Sequence, residues 1–353
     1  MLGAWFTGEH LELRETPRPP CPAGGLVVKV ASCAVCGTDV KILRKADVKL
    51  EGGKQRQMPL PRVLGHEFSA AVAEVGAAVT GFAVGERVVV APTVPCGRCH
   101  YCLGGNGEMC ETLKVVAYDW DGGFSEYMRV EPEVLAAGCV VRIPDGVDDD
   151  PASLAVPISC ALNCLELSPV KPGGTVGIVG SGPLGVIFSD LVRWKGASTV
   201  IIAEKSPEQI ETASRICGAD FFINNSEQDL KARVLELTGG RGVDLLIIAC
   251  SSVEAQSVAL DVVAKRGWVN LFAGLPRNNS IVSWDTNLVH YKECSVTGTH
   301  GSRPEHVRQA LDLMASGVIR PERYITNRFP LSQIDRAMAT AMSPGRLKIV
   351  VKP

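Results

Sequence analysis

The sequence predicts an α/β protein that joins an irregular, mostly β domain to a doubly wound parallel sheet. Its 353 residues are enough for two domains. Up to about residue 150 the chain is rich in Val, Gly and Pro, and turn signals separate short strand-like runs. From Pro151 to about residue 292, apolar runs of five or six residues alternate with helical segments, which is typical of a parallel sheet.

In the first part of the chain, Leu26–Val30 and Glu86–Val90 have the composition of strands, and turn signals such as Pro19-Pro20 and Gly81–Gly85 interrupt the pattern. The run Asp148–Asp150 predicts the start of a helix, because acidic residues are favourable near a helix N-terminus.

The alternating part contains four predicted strands and is followed by one amphipathic helix and a last strand. The strands are Thr175–Val179, Thr199–Ala203, Asp244–Ala249 and Trp268–Phe272; the helix is Pro304–Ser316; and the last strand is Leu347–Val351.

Composition excludes several classes of function. The formal charge of −2 argues against a nucleic-acid or membrane-surface partner. The N-terminal residues lack a basic segment followed by a long apolar run, and no apolar stretch is long enough to span a membrane. Without a secretory signal, the thirteen cysteines indicate metal ligands and buried thiols rather than disulfides. We therefore expect a cytoplasmic protein.

Four cysteines, at Cys96, Cys99, Cys102 and Cys110, have the spacing of a closed tetrahedral zinc site. Glycines between them let the backbone turn back at each ligand. A rubredoxin-like iron site would also use four cysteines, but rubredoxins usually arrange them as two CxxC pairs. The pattern predicts a structural zinc, and such a closed site leaves no position for a substrate.

A glycine-rich turn, Gly180-Ser181-Gly182-Pro183-Leu184-Gly185, follows the predicted strand Thr175–Val179 and begins a helix. Gly180 and Gly182 permit a tight turn and close approach of a pyrophosphate, and Gly185 lets the helix pack on the strand. The helix N-terminus supplies amide donors to the phosphates. In this context the turn predicts a dinucleotide site.

An acidic residue, Glu204, ends the next predicted strand, 19 residues after Gly185. We expect it to accept hydrogen bonds from the adenosine ribose, which favours NAD over NADP because a 2′-phosphate would meet a like charge. Lys205 follows directly and either softens this preference or is a solvated loop lysine.

The segments Cys36-Gly37-Thr38-Asp39 and Gly65-His66-Glu67 supply a thiol, an imidazole and a carboxylate. A catalytic zinc needs about three protein ligands and one open position. The pair Cys33-x-x-Cys36 also matches the spacing of a redox pair, but no thioredoxin-like context surrounds it.

With these motifs together, the chain resembles the zinc-dependent medium-chain alcohol dehydrogenases, and most of all their polyol branch of sorbitol and L-iditol 2-dehydrogenase-like enzymes. The resemblance extends over nearly the whole sequence. The segments that carry it are 36–41, 64–67, 95–110, 121–124, 180–185, 272–276, 290–293 and 325–331.

The resemblance implies a GroES-like, mostly β catalytic domain at residues 1–153 and 293–353, with a structural zinc lobe at about 92–115. An inserted Rossmann domain for NAD occupies 154–292. In this family zinc lowers the pKa of an alcohol hydroxyl, and the carbinol hydride passes to the nicotinamide. Here Cys36 and His66 map onto zinc ligands and Thr38 onto the first hydroxyl of a proton relay. Among the cofactor-binding residues the resemblance also places Pro183, Leu184, Lys205, Gly274 and Thr299.

The chain departs from the polyol pattern at Val156, where a glutamate ligand is expected. Valine cannot bind a metal. Three interpretations follow: Glu67 becomes a direct ligand beside Cys36, His66 and a water; or the zinc binds loosely, with a substrate atom completing its shell; or the catalytic metal is lost. In the first two, a missing anionic ligand leaves the metal more positive and should acidify a bound alcohol.

The leading functional hypothesis is transfer of hydride between NAD and a secondary alcohol of a polyol, cyclitol or sugar-like metabolite. The alternative is a zinc-poor reductase of the quinone or enoyl type. The expected partners are a small polar alcohol or ketone and further copies of the chain, in a homodimer or homotetramer. Lys41, Asp119, Trp120 and His300 are candidate pocket residues by position only.

Overall fold

The structure, a computed structural model, describes residues 1–44 and 58–353. The chain divides into two compact units. The first contains residues 1–159, 301–343 and 348–353, and the second contains residues 160–300 and 344–347. We call them unit 1 and unit 2.

The strands of the described residues follow in chain order. They are β1 (Leu2–Phe6), β2 (Leu11–Glu15), β3 (Leu26–Ala34), β4 (Arg62–Val63), β5 (Glu67–Val75), β6 (Arg87–Val90), β7 (Thr93–Val94), β8 (Lys114–Val115), β9 (Tyr127–Val130), β10 (Val140–Arg142), β11 (Thr175–Val179), β12 (Thr199–Glu204), β13 (Phe221–Asn224), β14 (Val243–Ile248), β15 (Val263–Leu271), β16 (Ser295–Gly298), β17 (Ile325–Pro330) and β18 (Lys348–Lys352).

The α-helices are α1 (Gly37–Leu43), α2 (His100–Leu103), α3 (Pro132–Ala136), α4 (Asp149–Ser153), α5 (Ala155–Leu167), α6 (Pro183–Trp194), α7 (Pro207–Ser214), α8 (Leu230–Leu237), α9 (Val253–Ser257), α10 (Ala259–Val262), α11 (Asn287–Lys292), α12 (Pro304–Ala315) and α13 (Ile334–Ala341). Short 3₁₀ turns lie at Gly107–Met109, Arg277–Asn279, Pro321–Tyr324 and Leu331–Gln333.

Unit 1 is mainly β structure, as the sequence predicts. Its largest sheet has the strand order β10-β6-β5-β3-β18-β17, and β9 also pairs with β3. A three-stranded sheet has the order β2-β1-β4, and β7 pairs with β8. The long central strands are buried for most of their length, so this sheet is a rigid support for the residues at its ends.

A buried ion pair joins three neighbouring strands of this sheet. Antiparallel pairing places Ala34 of β3 opposite both Glu67 of β5 and Val350 of β18. The ammonium of Lys348 on β18 donates to the Glu67 carboxylate and, at 3.3 Å, to the carbonyl of Val35. Lys348 is 4% exposed and Glu67 is 2% exposed, so each charge depends on its protein partners.

Unit 2 contains a six-stranded parallel sheet with the order β13-β12-β11-β14-β15-β16. In this order the first strand of the unit, β11, lies beside both β12 and β14, which is the strand order of a doubly wound dinucleotide-binding sheet. The carboxyl ends of β11 and β12 carry the glycine-rich turn and Glu204. The predicted fold class is thereby confirmed.

One strand of this sheet begins earlier than its apolar run predicts. β15 starts at Val263, five residues before Trp268, and includes the charged pair Lys265-Arg266. Arg266 has a φ of 58°, and the pairing with β14 shifts register in this region. This irregularity turns charged residues outward and breaks the hydrophobic pattern from which the strand was predicted.

Within residues 1–44 and 58–353, every helix is too short or too polar to cross a lipid bilayer.

Replacing Lys348 with methionine should lower the free energy of unfolding by about 3–5 kcal/mol, because the carboxylate of Glu67 is left buried without its counterion. Lys352→Met is the matched control on the same strand. The Lys352 ammonium lies 2.6 Å from Asp150, but its side chain is 43% exposed, so the loss should be below about 1 kcal/mol. Urea unfolding measures both, and equal losses would contradict the prediction.

Candidate functional site

Three possible metal ligands come together in unit 1: the thiol of Cys36, the imidazole of His66 and the carboxylate of Glu67. Their donor atoms all lie within 4.8 Å of one another. Cys36 lies between β3 and α1, and its backbone N–H donates to Asp39 Oδ2 at 2.9 Å. His66 and Glu67 lie at the start of β5. Two strand ends of one sheet thus bring together residues that are thirty positions apart.

Gly65 permits the turn that presents His66. Its φ is 90°, and a Cβ there would lie 2.7 Å from the sulfur of Cys33 and 3.0 Å from the ring of Phe124. A side chain at this position would therefore displace the buried neighbours of the site.

Thr38 also belongs to the cluster, because its Oγ1 lies 3.6 Å from Cys36 Sγ.

Acidic groups outnumber lysines around His66. The carboxylates of Asp39 and Glu67 lie near the Cys36 sulfur, and within the described residues Lys348 is the lysine that pairs with Glu67. Burial lowers the pKa of His66, but Cys36, Asp39 and Glu67 outweigh burial and raise this pKa to about 10. The site therefore favours an additional positive charge beside these anions.

The donor set suits Zn²⁺, since sulfur, imidazole nitrogen and carboxylate oxygen are its usual ligands. His66 Nδ1 and Asp39 Oδ1 are both buried without hydrogen-bond partners in the described chain and lie 3.8 Å apart. An imidazole whose Nδ1 faces a carboxylate has its Nε2 available for a metal. We conclude that these residues fit a zinc ion.

Glu67 also pairs with Lys348, a contact that the sequence does not reveal. Lys348 donates a hydrogen bond to Oε2 of Glu67 and not to Oε1. A carboxylate shared with a lysine carries less negative charge to a metal than an isolated one. Glu67 is therefore placed to ligate, but as a weaker ligand than an unpaired carboxylate.

The helix α5 contributes no donor to this cluster in the described chain. Val156 is 3% exposed and apolar. The hydroxyl of Ser159 donates to the Val156 carbonyl at 2.6 Å, and Cys164 is fully buried, as expected for small residues of a packed helix. Cys160 is half-buried and lies outside the donor cluster.

Tyr118 is a residue of this site that the sequence reasoning missed. Its ring centroid lies 5.9 Å from that of His66, and the residue is only 5% exposed. Burial, together with the charges of Asp39, Cys36 and Glu67, raises the pKa of Tyr118 well above its usual value, so the phenol is neutral. Sequence position alone had pointed instead to its neighbours in the same loop.

Those neighbours have structural contacts. Asp119 Oδ2 accepts from the backbone N–H of Val115 at 2.6 Å, and the Lys114 ammonium lies 5.0 Å from the centroid of the Trp120 ring. Lys41 is exposed on α1.

The four cysteines of the lobe form the second cluster of metal donors in unit 1, again within 4.8 Å of one another. Cys99 Sγ and Cys96 Sγ lie 3.4 and 3.9 Å from Cys102 Sγ. Four sulfurs at the Zn–S distance of a tetrahedral site are about 3.8 Å apart. The backbone N–H of Cys96 also donates to Cys110 Sγ at 3.2 Å, so the arrangement fits one zinc ion.

Electrostatics favours thiolates at one end of this cluster. Backbone N–H groups of Arg98 and Cys99 lower the pKa of Cys96 to about 6. Burial, and then hydrogen bonding with the neighbouring cysteines, raises the pKa of Cys102 to about 12. A metal ion that binds these cysteines displaces their protons, and the thiol with the lowered pKa, Cys96, loses its proton most easily.

In unit 2 the glycine-rich turn has the geometry of a phosphate cradle. Gly180 has a φ of 106°, and a Cβ at Gly185 would lie 2.0 Å from the Gly180 carbonyl oxygen. A Cβ at Gly182 would meet nothing within 4 Å, so this position faces open space. Pro183 begins α6 and Leu184 follows in its first turn, whose amides are available to an anion.

The carboxylate of Glu204 connects to the same turn. Its Oε2 accepts from the backbone N–H of Ser181 at 2.9 Å, and its Oε1 accepts from the backbone N–H groups of Lys205 and Ser206 at 2.7 and 3.1 Å. The side chain of Lys205 is exposed. These hydrogen bonds fix the orientation of the carboxylate at the end of β12.

Gln209 is a second residue that the sequence reasoning missed. It is buried on α7, and its Nε2 donates to the carbonyl oxygens of Ser181 at 3.1 Å and Arg346 at 3.2 Å. Its Oε1 accepts from the N–H of Gly345 at 3.2 Å. One amide thus links the glycine-rich turn to the segment 344–347, and no local sequence pattern signals this contact.

Three other predicted residues lie elsewhere in unit 2. Gly274 follows β15 and is exposed, with open space where a Cβ would stand. Asn270 Nδ2 donates to Thr299 Oγ1 at 2.9 Å. His300 is exposed, and its carbonyl accepts from Asn163 Nδ2 at 3.5 Å.

Comparison with known proteins gives a consistent result for both units. Residues 22–145 match the family model of the alcohol dehydrogenase GroES-like domain, and residues 183–316 match that of the zinc-binding dehydrogenases. A solved structure of a zinc-binding dehydrogenase from Sinorhizobium meliloti bound to NADP superposes with a TM-score of 0.90 at 28% identity, covering 100% of this chain and 99% of that one.

Two curated relatives extend the similarity along the whole sequence. A sorbitol dehydrogenase from Halalkalibacterium halodurans is 30% identical over 349 residues, which cover 98% of this chain and 96% of that protein. An L-threonine 3-dehydrogenase from Pyrococcus abyssi is 31% identical over 319 residues, covering 90% and 88%. With both family models matched, the chain belongs to the zinc-dependent medium-chain alcohol dehydrogenases and is an oxidoreductase.

Proposed function

We propose that this protein oxidises a secondary alcohol of a polyol, cyclitol or sugar-like metabolite with NAD, using zinc held by Cys36, His66 and Glu67. The observation that carries the proposal is the cluster of these three donors within 4.8 Å, at a site whose anions favour a cation. A buried set of sulfur, nitrogen and oxygen donors suits a catalytic zinc, which keeps one position open for substrate.

The relatives support this class of substrate. Sorbitol and L-threonine, named in the two curated relatives, each carry a secondary hydroxyl beside other polar groups. Sorbitol is the better guide of the two, because the carboxylates of Asp39 and Glu67 near His66 would repel a substrate carboxylate such as that of L-threonine. We therefore propose a neutral polyhydroxyl compound.

Each residue of the cluster has a role in this proposal. Zinc, when bound, acts as a Lewis acid that lowers the pKa of the alcohol hydroxyl. The hydroxyl of Thr38, beside Cys36, accepts the alcohol proton and passes it on. Asp39 orients the His66 ring, and Lys348 holds Glu67 in place. The nicotinamide cofactor, when bound, would supply the acceptor for the hydride of the carbinol carbon.

For the cofactor we propose NAD rather than NADP. Gly180, Gly182 and Gly185, with Pro183 and Leu184 at the start of α6, supply the pyrophosphate cradle. Four hydrogen bonds fix the Glu204 carboxylate at the end of β12, where it would repel a 2′-phosphate. We assign Lys205, Gly274 and Thr299 to the rim of the same cofactor site.

In this proposal unit 1 is the catalytic domain and unit 2 the NAD-binding domain. Zinc at Cys96, Cys99, Cys102 and Cys110 stabilises the lobe at about 92–115 and takes no part in the reaction, because four protein ligands close its shell.

We propose a homodimer or homotetramer built through unit 2, whose edge strand β16 carries Val296, 37% exposed. None of the thirteen cysteines, all of which lie in the described residues, forms a disulfide, which supports a cytoplasmic location.

The alternative, a reductase that works without a catalytic metal, lacks support. Such an enzyme has no need to hold the donor atoms of Cys36, His66 and Glu67 within 4.8 Å of one another. It would also gain nothing from a buried cluster whose anions raise the pKa of His66 to about 10.

Reduction of NAD, followed at the nicotinamide absorbance, tests the function with a panel of sorbitol, other polyols and cyclitols. We expect turnover with at least one of them and much weaker turnover with NADP. A complete absence of NAD reduction across the panel would remove the polyol assignment.

Zinc content tests the catalytic metal. The purified protein should hold about two zinc ions per chain, and Glu67→Gln should reduce this to about one, because a neutral amide oxygen is a poor zinc ligand. Glu74→Gln, on the exposed part of the same strand, should keep both ions. The double variant Glu67→Met with Lys348→Met removes both members of the ion pair, so zinc loss there cannot result from an unpaired buried lysine.

Two zinc ions retained in Glu67→Gln would show that Glu67 is not a required ligand and would favour a shell completed by water or substrate.

Gln209→Ala should raise the dissociation constant for NADH about tenfold, because the carbonyl of Ser181 and the turn that carries it lose their buried support. Gln228→Ala, an exposed position in the same unit, is the matched control and should bind NADH as the wild type does. Fluorescence titration measures both. Unchanged NADH affinity in Gln209→Ala would refute a positioning role even if the melting temperature falls.

A further inference from the structure

Tyr118 has a position in unit 1 that the proposed mechanism does not use. Its ring lies against the ring of His66, with 5.9 Å between centroids and an interplanar angle of 36°. The residue is 5% exposed, so the aromatic ring is enclosed next to the donor cluster. A buried tyrosine usually finds a hydrogen-bond partner for its hydroxyl.

The hydroxyl of Tyr118 has no such partner within residues 1–44 and 58–353. The ring is thus enclosed beside the donor cluster while no group of the described residues takes up its hydroxyl, which is the arrangement expected of a group that meets a ligand.

The backbone fixes the direction of this side chain. Ala117 adopts a φ of 73°, which is uncommon for a residue with a side chain, and Val116 forms a bridge with Trp120 across the loop. A Cβ at Gly122 would lie 2.7 Å from the Cβ of Ala117, so the loop is closely packed from behind. Such a loop holds Tyr118 in one orientation.

We propose that Tyr118 binds the substrate through a second hydroxyl, next to the carbinol that is oxidised. A phenol both donates and accepts a hydrogen bond, so it suits an alcohol group. The carboxylates of Asp39 and Glu67 lie close enough to act on the phenol, and they disfavour a substrate carboxylate at the same place. The substrate is then a neutral vicinal diol unit, and this inference rests on the proposed function.

The test compares two alcohols that differ by one hydroxyl, 2,3-butanediol and 2-butanol, with wild type and Tyr118→Phe. Removing the phenol hydroxyl should lower the ratio of kcat/KM for the diol to kcat/KM for 2-butanol about fivefold to tenfold, mainly through KM. Tyr127→Phe, on β9, should leave this ratio unchanged. Equal melting temperatures would exclude a general loss of structure.

An unchanged ratio in Tyr118→Phe, or an equal loss for both alcohols, would overturn the assignment of Tyr118 while leaving the dehydrogenase function intact. If the wild type oxidises neither these alcohols nor sorbitol, the proposed function itself fails. In that case, saturation-transfer NMR of 2,3-butanediol on the enzyme with NADH tests Tyr118 directly. Equal signals from wild type and Tyr118→Phe would contradict the proposed role of Tyr118.

Discussion

Excess negative charge buried at one end of the unit 1 sheet is the constraint on which the site depends. Cys36, Asp39 and Glu67 all lie in a region of low dielectric, where an uncompensated anion is costly. Lys348 provides one positive charge from a distant strand. A proton on one of these groups or on His66, or a metal ion, offsets the remainder, so metal affinity and stability of the sheet originate in the same charge balance.

This balance also bears on the proposed catalytic metal. Val156 contributes no ligand, and the carboxylate of Glu67 is shared with Lys348. In the proposed site a zinc ion would receive less negative charge from its ligands than one with an unshared glutamate, and would polarise an alcohol more strongly. The same weakening would make the ion easier to lose. In that proposal, catalytic strength and metal retention are opposed through one residue, Glu67.

Local sequence patterns predicted the sites and strands whose residues lie close together in the chain. The cysteine spacing at 96–110 and the turn at 180–185 bring their own residues together, and the apolar runs marked the parallel strands except where Arg266 disturbs β15. Contacts between residues that are far apart in the sequence leave no local sequence pattern. Lys348 and Glu67 are 281 residues apart, and Gln209 and Arg346 are 137 apart. Tyr118 lay beside predicted pocket residues, but only the packing of Ala117 decides which of them faces His66.

The strand order of unit 1 has a consequence for biosynthesis. β18 lies between β3 and β17 inside the sheet, yet it follows every strand of unit 2 in the chain. During translation, unit 2 can close while β3 still awaits β18, and Glu67 stays without Lys348 throughout this interval. A nascent chain therefore exposes the Cys36 thiol and an incomplete sheet edge together, which makes early metal delivery and chaperone protection relevant to its yield.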